Sequence, residues 1–448
     1  MLAHFTALKR WTLSAVIRLQ ILCAMFLIVS FSSTARAEDG LSPFSAYELR
    51  LSQDTVLQTI AEAKLRLATA EFLPKVNVGG DWVVDGNIRY SPDITAASPG
   101  SYSKKDPSLM GVEVSWKLFD GFQNINNRAA AEEGLSYAVQ ASLDTRQKLF
   151  LERAERILGI VRDRALLKAY EDAVRRRRQA LDISRTMLNE GSMTVSQVEI
   201  AGADLQNALA TRLQAANAVK ISELDYVKFT GVPLVANPRL EIPGKRLPAT
   251  AKEAADLALT QSPQLKMALH SEQEAEYRAR AAAGKYMPTV NLVGRYARTF
   301  DPSPQVNRVD TTAVLVRASM PIFDPTIEPA RDLARAEALQ RRYDRQDASL
   351  SLATEARRQH QLFHALSAQL STLKKQISLA KAGADAVRIE IGTGERTITE
   401  LLDAQESLLS ASVNDAEVRY ARDVAAFRLL ATIGDLNEND VGLNGRQF

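Results

Sequence analysis

The sequence predicts a mainly α-helical protein with a few membrane-spanning β-strands, built from two similar halves. Three observations predict it. Short blocks recur in one order at a nearly constant offset. The apolar period changes from helical to two after each of two prolines. Two long proline-free stretches carry apolar residues at three- and four-residue steps.

The duplication is read from four blocks. In "EFLPKVNVGGDW" (71–82) and "KYMPTVNLVGRYAR" (285–298), Phe72-Leu73-Pro74 matches Tyr286-Met287-Pro288 and Val76-Asn77-Val78 matches Val290-Asn291-Leu292, an offset of 214. "VEVSWKLFD" (112–120) matches "VRASMPIFD" (316–324) at 204. Gly191…Thr194-Val195-Ser196 matches Gly394…Thr397-Ile398-Thr399 at 203, and "KFTGVPL" matches "LATIGDL" through Gly231 and Gly434 at the same 203. A repeat of this length is a duplicated half-molecule, not a solenoid unit. The expected organisation is a signal peptide at 1–37, a first repeat at 38–240 and a second at 241–448.

The chain has 448 residues, 24% charged and 46% hydrophobic, enough for two or three cores. Lys9, Arg10 and Arg18 precede an apolar run from Ile21 to Phe31, and "TARAED" places small residues at Ala35 and Ala37. That pattern reads as a secretory signal cleaved after Ala37; an N-terminal anchor would need a longer apolar span. Removing 1–37 leaves 52 Lys+Arg against 53 Asp+Glu, so the formal +3 is no argument for nucleic acid. The one cysteine, Cys23, lies inside the signal, which excludes disulfide and thiol chemistry in the exported chain. No other stretch is long enough for a spanning helix, so membrane passage would require β-strands.

Residues 44–71 and 249–285 are rich in Ala, Leu, Glu, Gln and Arg at helical spacing, and Pro74 and Pro288 end them. Beyond the prolines the period is two: Val76 and Val78, Val290 and Leu292, then Val112, Val114, Trp116 and Leu118, and Val316, Ala318, Met320 and Ile322. Each half thus supplies two strands of roughly ten residues, the bilayer-spanning length. The polar stretches 91–106 and 301–310 read as hairpin loops. From Gly121 to Asn189 and from Ala330 to Ile391 there is no proline, and the apolar spacing suits long coiled-coil helices of about 100 Å. Each reverses at a Gly/Thr turn into a shorter helix. A Pro/Gly-broken connector, 231–250, joins the halves.

Four amphipathic strands cannot close a barrel, and an open edge in lipid leaves backbone groups unpaired at several kcal/mol each. Association of several chains resolves this, and three copies would give twelve strands, an even number suited to an outer-membrane barrel. A soluble four-stranded sheet is disfavoured because the helices are far too long to fold over it.

The layout resembles the TolC-type outer-membrane efflux proteins over essentially the whole mature chain. The "FLP"/"YMP" helix-to-strand junctions, the "WKLFDGF"/"MPIFDPT" strand-to-helix junctions and "GERTITELLDAQ" carry the resemblance. It implies a homotrimer whose twelve-stranded β-barrel sits in outer-membrane lipid above a periplasmic α-helical barrel. Such a duct carries substrate from an inner-membrane ABC or proton-driven pump through a periplasmic adaptor, for efflux or type I secretion. It is not an enzyme and needs no cofactor. Pro74, Pro288, Asp120 and Asp324 fall at the helix-to-barrel junctions.

The family narrows its periplasmic end with two acidic residues one helical turn apart, matched here by Glu400 and Asp403. Converging copies would crowd six carboxylates, raise some of their pKa values and favour cations. Arg396 matches an arginine that helps hold the aperture shut. Its family partners fall at Ser196 and Gln197, with Glu199 one turn further on. Gln197 departs from the family aspartate and Ile391 from an aromatic, which implies a looser closed state. Gly191, Thr194, Gly394 and Thr397 mark the turns where the family meets its adaptors.

Other candidates read as ordinary. His360 and His364 have a zinc-compatible i, i+4 spacing but lack a third ligand, so helix-surface histidines are expected. "RRRR" (175–178) reads as a solvated or interhelical face, and "GTGE" (392–395) has no preceding strand and is not a phosphate loop. The competing class is an extended structural or adhesive coiled-coil surface protein, which leaves the four bilayer-length strands unexplained.

Overall fold

The computed structural model describes residues 45–82, 108–234, 240–303, 306–393 and 395–442, all within one compact unit that starts at Ser45. The expected signal peptide, the loop at 91–106 and Gly394 lie outside the described residues.

Helix α1 (Ala46–Ala70) opens on a capping box, in which Ser45 Oγ accepts from the Glu48 N–H and Glu48 Oε2 accepts from the Ser45 N–H, each at 3.1 Å. Strands β1 (Lys75–Asp81) and β2 (Ser108–Phe119) follow, then helices α2 (Gln123–Asn189) and α3 (Val195–Thr230). The second half repeats the plan with α4 (Ala251–Gln261), α5 (Pro263–Ala283), β3 (Thr289–Ser303), β4 (Val306–Ser319), α6 (Ile327–Gly392) and α7 (Ile398–Ile433). With 67 and 66 residues, α2 and α6 each run about 100 Å. Gly231 and Gly434, at φ +75° and +90°, end α3 and α7 in the left-handed cap conformation that glycine adopts without strain.

The helices bury their apolar stripes in several clusters, three of which set the frame. Phe150 and Leu158 of α2 meet Phe427 and Leu430 of α7, together with Leu436 and Val441 after it. Ala254, Ala258 and Ala356 let α4, α6 and α7 approach closely around Leu429 and Ile433. A third core, at the far end of the long helices, lies under the two Gly/Thr turns.

All four strands pair antiparallel in the order β1-β2-β3-β4, leaving β1 and β4 as edges. Among the described residues no helix packs extensively against the sheet. Register puts Val78, Val112 and Tyr296 in one row and Val76, Val114, Gly294 and Val314 in the next, followed by Trp116, Leu292 and Val316. This apolar face is turned outward, with Val78 79%, Val314 76% and Val316 64% exposed. The opposite face carries Asn77, Glu113, Arg295, Lys117, Asn291 and Arg317, and Arg295 Nε lies 3.4 Å from Glu113 Oε2. Val293 shares that polar face yet is only 4% exposed, because its neighbours close over it as on the inside of a curled sheet. Polar inside and apolar outside is the reverse of a soluble sheet and the arrangement of a membrane barrel.

Three expectations need correction. The helix expected over 249–285 is broken at Ser262, whose extended ψ of 124° is what a following proline imposes, and Pro263 then starts α5. The loop expected over 301–310 is mostly strand, with β3 running to Ser303 and β4 starting at Val306. The alternation expected to reach Ile322 stops at Ser319, since Pro321 has no donor for a ladder; Ile322 and Phe323 follow, 101% and 87% exposed.

The strand-to-helix junction of the first half is locked against the helix-to-strand junction of the second. Asp120 is buried, its Oδ2 accepting from the Asn124 N–H at 3.0 Å, while Asn124 Nδ2 donates to the Glu71 carbonyl at 3.2 Å. Trp116 Nε1 donates to the Phe72 carbonyl at 2.9 Å, tying β2 to the residues before Pro74. Gly121 at φ +70° crosses Gly284 so closely that a Cβ on Gly121 would sit 2.2 Å from the Gly284 carbonyl oxygen, and one on Gly284 2.3 Å from that of Gly121. In the second half Asp324 instead accepts from the Thr326 N–H at 2.9 Å and its hydroxyl at 2.7 Å, and is exposed. We expect Gly284→Ala to destabilise by about 1–3 kcal/mol through forced overlap. Gly121→Ala should cost about 1–2 kcal/mol more for its left-handed backbone. Thermal unfolding of the purified protein checks both, and unchanged midpoints would rule out the crossing.

Candidate functional site

The site is built from two helix reversals at the ends of α2 and α6. The two turns share a back-bond and an N-cap. Gly191 takes φ +75°, and the Ser192 N–H reaches back to the Met187 carbonyl at 2.9 Å. In the second turn the Glu395 N–H reaches the Glu390 carbonyl at 3.1 Å, the equivalent bond 203 positions on. Thr194 and Thr397 are then extended N-caps, at φ, ψ of −91°, 155° and −93°, 157°. The Thr194 N–H donates to Gln197 Oε1 at 3.0 Å, and the Thr397 N–H donates to Glu400 Oε2 at 2.8 Å. Gln197 and Glu400 therefore do the same work at the third position of their helices.

The two tips differ in charge. Arg396 donates from Nε to Glu390 Oε2 at 3.2 Å and from Nη1 to Glu400 Oε1 at 3.0 Å. At the corresponding places in the first tip stand Met187, Met193 and Gln197, and the two methionines lie against the core below. One tip is pinned by ions and its twin by apolar contact. The Thr397 N–H first, and then the Arg396 guanidinium and the Thr397 hydroxyl, hold the Glu400 carboxyl below its ordinary range. Glu400 and then Glu390 raise the Arg396 pKa in turn. A raised carboxyl pKa was the expectation for crowded copies; within one chain the direction for Glu400 is downward.

Asp403 is exposed one turn beyond Glu400 on α7, between the buried Leu402 and Gln405. Ser196, Gln197 and Glu199 stay with the first tip. Ser196 Oγ lies 3.1 Å from Thr194 Oγ1, Gln197 is taken up by its cap, and Glu199 is exposed. Among the described residues none of the three bonds to Arg396, because Glu390 and Glu400 lie nearer in its own turn. Ile391, read as a departure from an aromatic, is fully buried with Ile398 and Leu401 in the tip core.

Sequence reasoning passed over Glu390 and a buried link just above the tips. Arg177, with a side chain only 6% exposed, donates from Nε to Asp204 Oδ2 at 2.6 Å and also pairs with Glu406, joining α2, α3 and α7. The "RRRR" run divides accordingly, Arg175 pairing in solvent with Asp172 and Arg177 acting between helices. The signal was an acid on each returning helix at similar distance from its turn. Of the two histidines, His360 is buried rather than on the surface, with its ring 4.4 Å from that of the exposed His364.

Comparison with known proteins agrees with this architecture. The model of the family described as "Outer membrane efflux protein" matches the chain twice, at residues 51–232 and 254–435. The outer membrane efflux protein BepC of Brucella suis biovar 1 (strain 1330) is 24% identical over 386 residues, 83% of each chain. The outer membrane protein TolC of Escherichia coli (strain K12) is 21% identical over 444 residues, 92% of this chain and 85% of that one. A crystal structure of CusC superimposes with a TM-score of 0.75 at 18% identity, covering 86% of this chain and 88% of the other.

The paired caps make the role of Glu400 separable from its charge. Glu400→Gln should leave α7 capped, as Gln197 does for α3, while releasing Arg396; Glu400→Ala should lose the cap as well. Since the folded pKa of Glu400 is lowered, its contribution is whole above the ordinary glutamate value and is lost as pH falls through the folded value. Amide exchange in the first turn of α7 should therefore show a protection step in acid for the wild type, no step for Glu400→Gln and little protection at any pH for Glu400→Ala. Three identical profiles would exclude the capping role.

Proposed function

The chain belongs to the outer membrane efflux protein family, and from that premise we propose that three copies form the exit duct of a tripartite efflux or type I secretion system. Membership makes it an outer-membrane channel of the TolC type with a periplasmic helical extension. In the proposed assembly the four strands of each copy contribute to one twelve-stranded barrel in lipid, and α2, α3, α6 and α7 of the copies form the wall of a tunnel below it. The observation that carries this reading is the sheet with its apolar face outward and both edges open. A sheet of that kind is stable in a bilayer only when its edges are paired.

The tunnel ends at the helix tips. Glu400 and Asp403 of three copies would form a ring of six carboxylates, selecting and binding cations by charge. Arg396, held on Glu390 and Glu400, keeps each second tip folded in the closed state. The turns that carry Gly191, Thr194, Gly394 and Thr397 are the docking points of a periplasmic adaptor, which links the duct to an inner-membrane ABC or proton-driven pump. The two halves are 38–240 and 241–448, following a signal peptide at 1–37.

Single-channel recording in planar bilayers tests the ring. Glu400→Gln with Asp403→Asn should lower cation selectivity and weaken block by multivalent cations, with trimer yield unchanged. Arg396→Ala should raise resting conductance. Unaltered selectivity and block in the double variant would remove these residues from the aperture.

A further inference from the structure

The strand registers repeat with the sequence. In the first hairpin Lys75 faces Ser115, and their repeat equivalents Thr289 and Ser319 face each other in the second. Val78 opposite Val112 likewise becomes Leu292 opposite Val316. One hairpin unit is thus used twice, its first strand shifted by 214 and its second by 204. The β2–β3 pairing is then a joint between two units, the trailing strand of one against the leading strand of the next. The same two strand types, β4 trailing and β1 leading, are the open edges of the sheet.

We propose that β4 of one copy pairs antiparallel with β1 of the next in the register of the internal β2–β3 joint. This rests on the assembly proposed above and adds which residues meet. In the internal joint Val112 faces Tyr296, Glu113 faces Arg295, Val114 faces Gly294 and Ser115 faces Val293. Carried over by the repeat offsets, Val316 faces Trp82, Arg317 faces Asp81, Ala318 faces Gly80 and Ser319 faces Gly79.

Two features of the edges agree with this register independently of the offsets used to derive it. The first is facing. Val316 and Trp82 meet on the apolar outer side, continuing the row of Trp116 and Leu292, and Arg317 and Asp81 meet on the polar inner side; a one-residue slip would set apolar against polar along the whole joint. The second is charge. The internal joint holds one direct ion pair, Glu113 with Arg295. At the equivalent position the edges hold Arg317 and Asp81, again opposite in charge but with the signs exchanged. Both are exposed, and neither makes an ion pair among the described residues. The charges complement each other across a joint that one chain cannot make, because β2 and β3 separate its two edges by roughly 14 Å at the usual strand spacing.

Paired cysteines in the full chain test the register, in a Cys23→Ser background so that the introduced thiols are the only two. Directly opposed residues on neighbouring strands lie within disulfide reach, and pairs slipped by two do not. Oxidation of outer-membrane vesicles carrying Arg317→Cys with Asp81→Cys should give covalent dimers and trimers. Ser319→Cys with Gly79→Cys, in the same register, should do the same and keeps the test valid if loss of the ion pair prevents assembly. Arg317→Cys with Gly79→Cys and Ser319→Cys with Asp81→Cys should stay monomeric on a denaturing gel. Cross-linking that favours the slipped pairs, or none in a protein that is still trimeric, overturns the register and leaves the duct standing. Cross-linking by Asp81→Cys alone would mean that like edges meet, which also overturns it. Protein that is monomeric without cross-linking would bring down both the register and the assembly it rests on.

Discussion

Backbone hydrogen bonding in an apolar medium is the constraint on which this molecule depends. A spanning sheet has no water to satisfy its edges, so every N–H and C=O along β1 and β4 must find a partner. Four strands are too few to curl round and supply one within a chain. The outward apolar rows of Val78, Val112 and Tyr296, or of Val76, Val114 and Val314, are harmless only in lipid. In the proposed assembly the helical half has to position the edges of separate copies, and the junctions are built to be rigid. The buried Asp120, the Trp116–Phe72 bond and the Gly121–Gly284 crossing fix how the sheet leaves the helices.

Duplication supplies most of the architecture, and departures from it single out the second tip. The two hairpins share one register, the two reversals share one cap, and Gly231 and Gly434 end equivalent helices alike. Against that background the exchange of Met187, Met193 and Gln197 for Glu390, Arg396 and Glu400 is conspicuous. Apolar contact at the first tip fixes it passively. Ions at the second hold it by bonds that pH and neighbouring charge can reach. The junctions diverge too, with Gly121 and Phe122 both at positive φ after Asp120 while Pro325 and Thr326 follow Asp324.

Much of this was legible in the sequence because it depends on period and punctuation. Proline positions and alternation gave the helix-to-strand changes, and the absence of proline gave the long helices. What was not legible depends on three-dimensional neighbours. The composition of 249–285 reads as one helix, and the break lies in the extended Ser262 that lets Pro263 start a second one. The polar decamer 301–310 read as loop by composition, yet Arg298 and Asp310 pair across β3 and β4 and let charged residues extend the strands. For Arg396, the motif located the residue but not its bonds, since Glu390 lies in the preceding helix and no spacing rule connects them. The approach of Gly121 to Gly284 joins residues distant in the chain.

The second tip sets two demands on one side chain. Glu400 Oε2 caps α7 through Thr397, and Oε1 accepts from Arg396. Both interactions favour the ionised form, and both are local. In the proposed ring the carboxylates of neighbouring copies would push the other way, towards protonation. Within one chain the bonds from Thr397 and Arg396 hold Glu400 on the ionised side of that balance. In the proposed ring, withdrawing Arg396 would remove a neutralising cation and add repulsion between copies in the same step. The cap on Thr397 uses the other carboxylate oxygen, so α7 stays capped when the Arg396 pair is broken. A tip that loosens without unfolding needs that separation of roles within a single carboxylate.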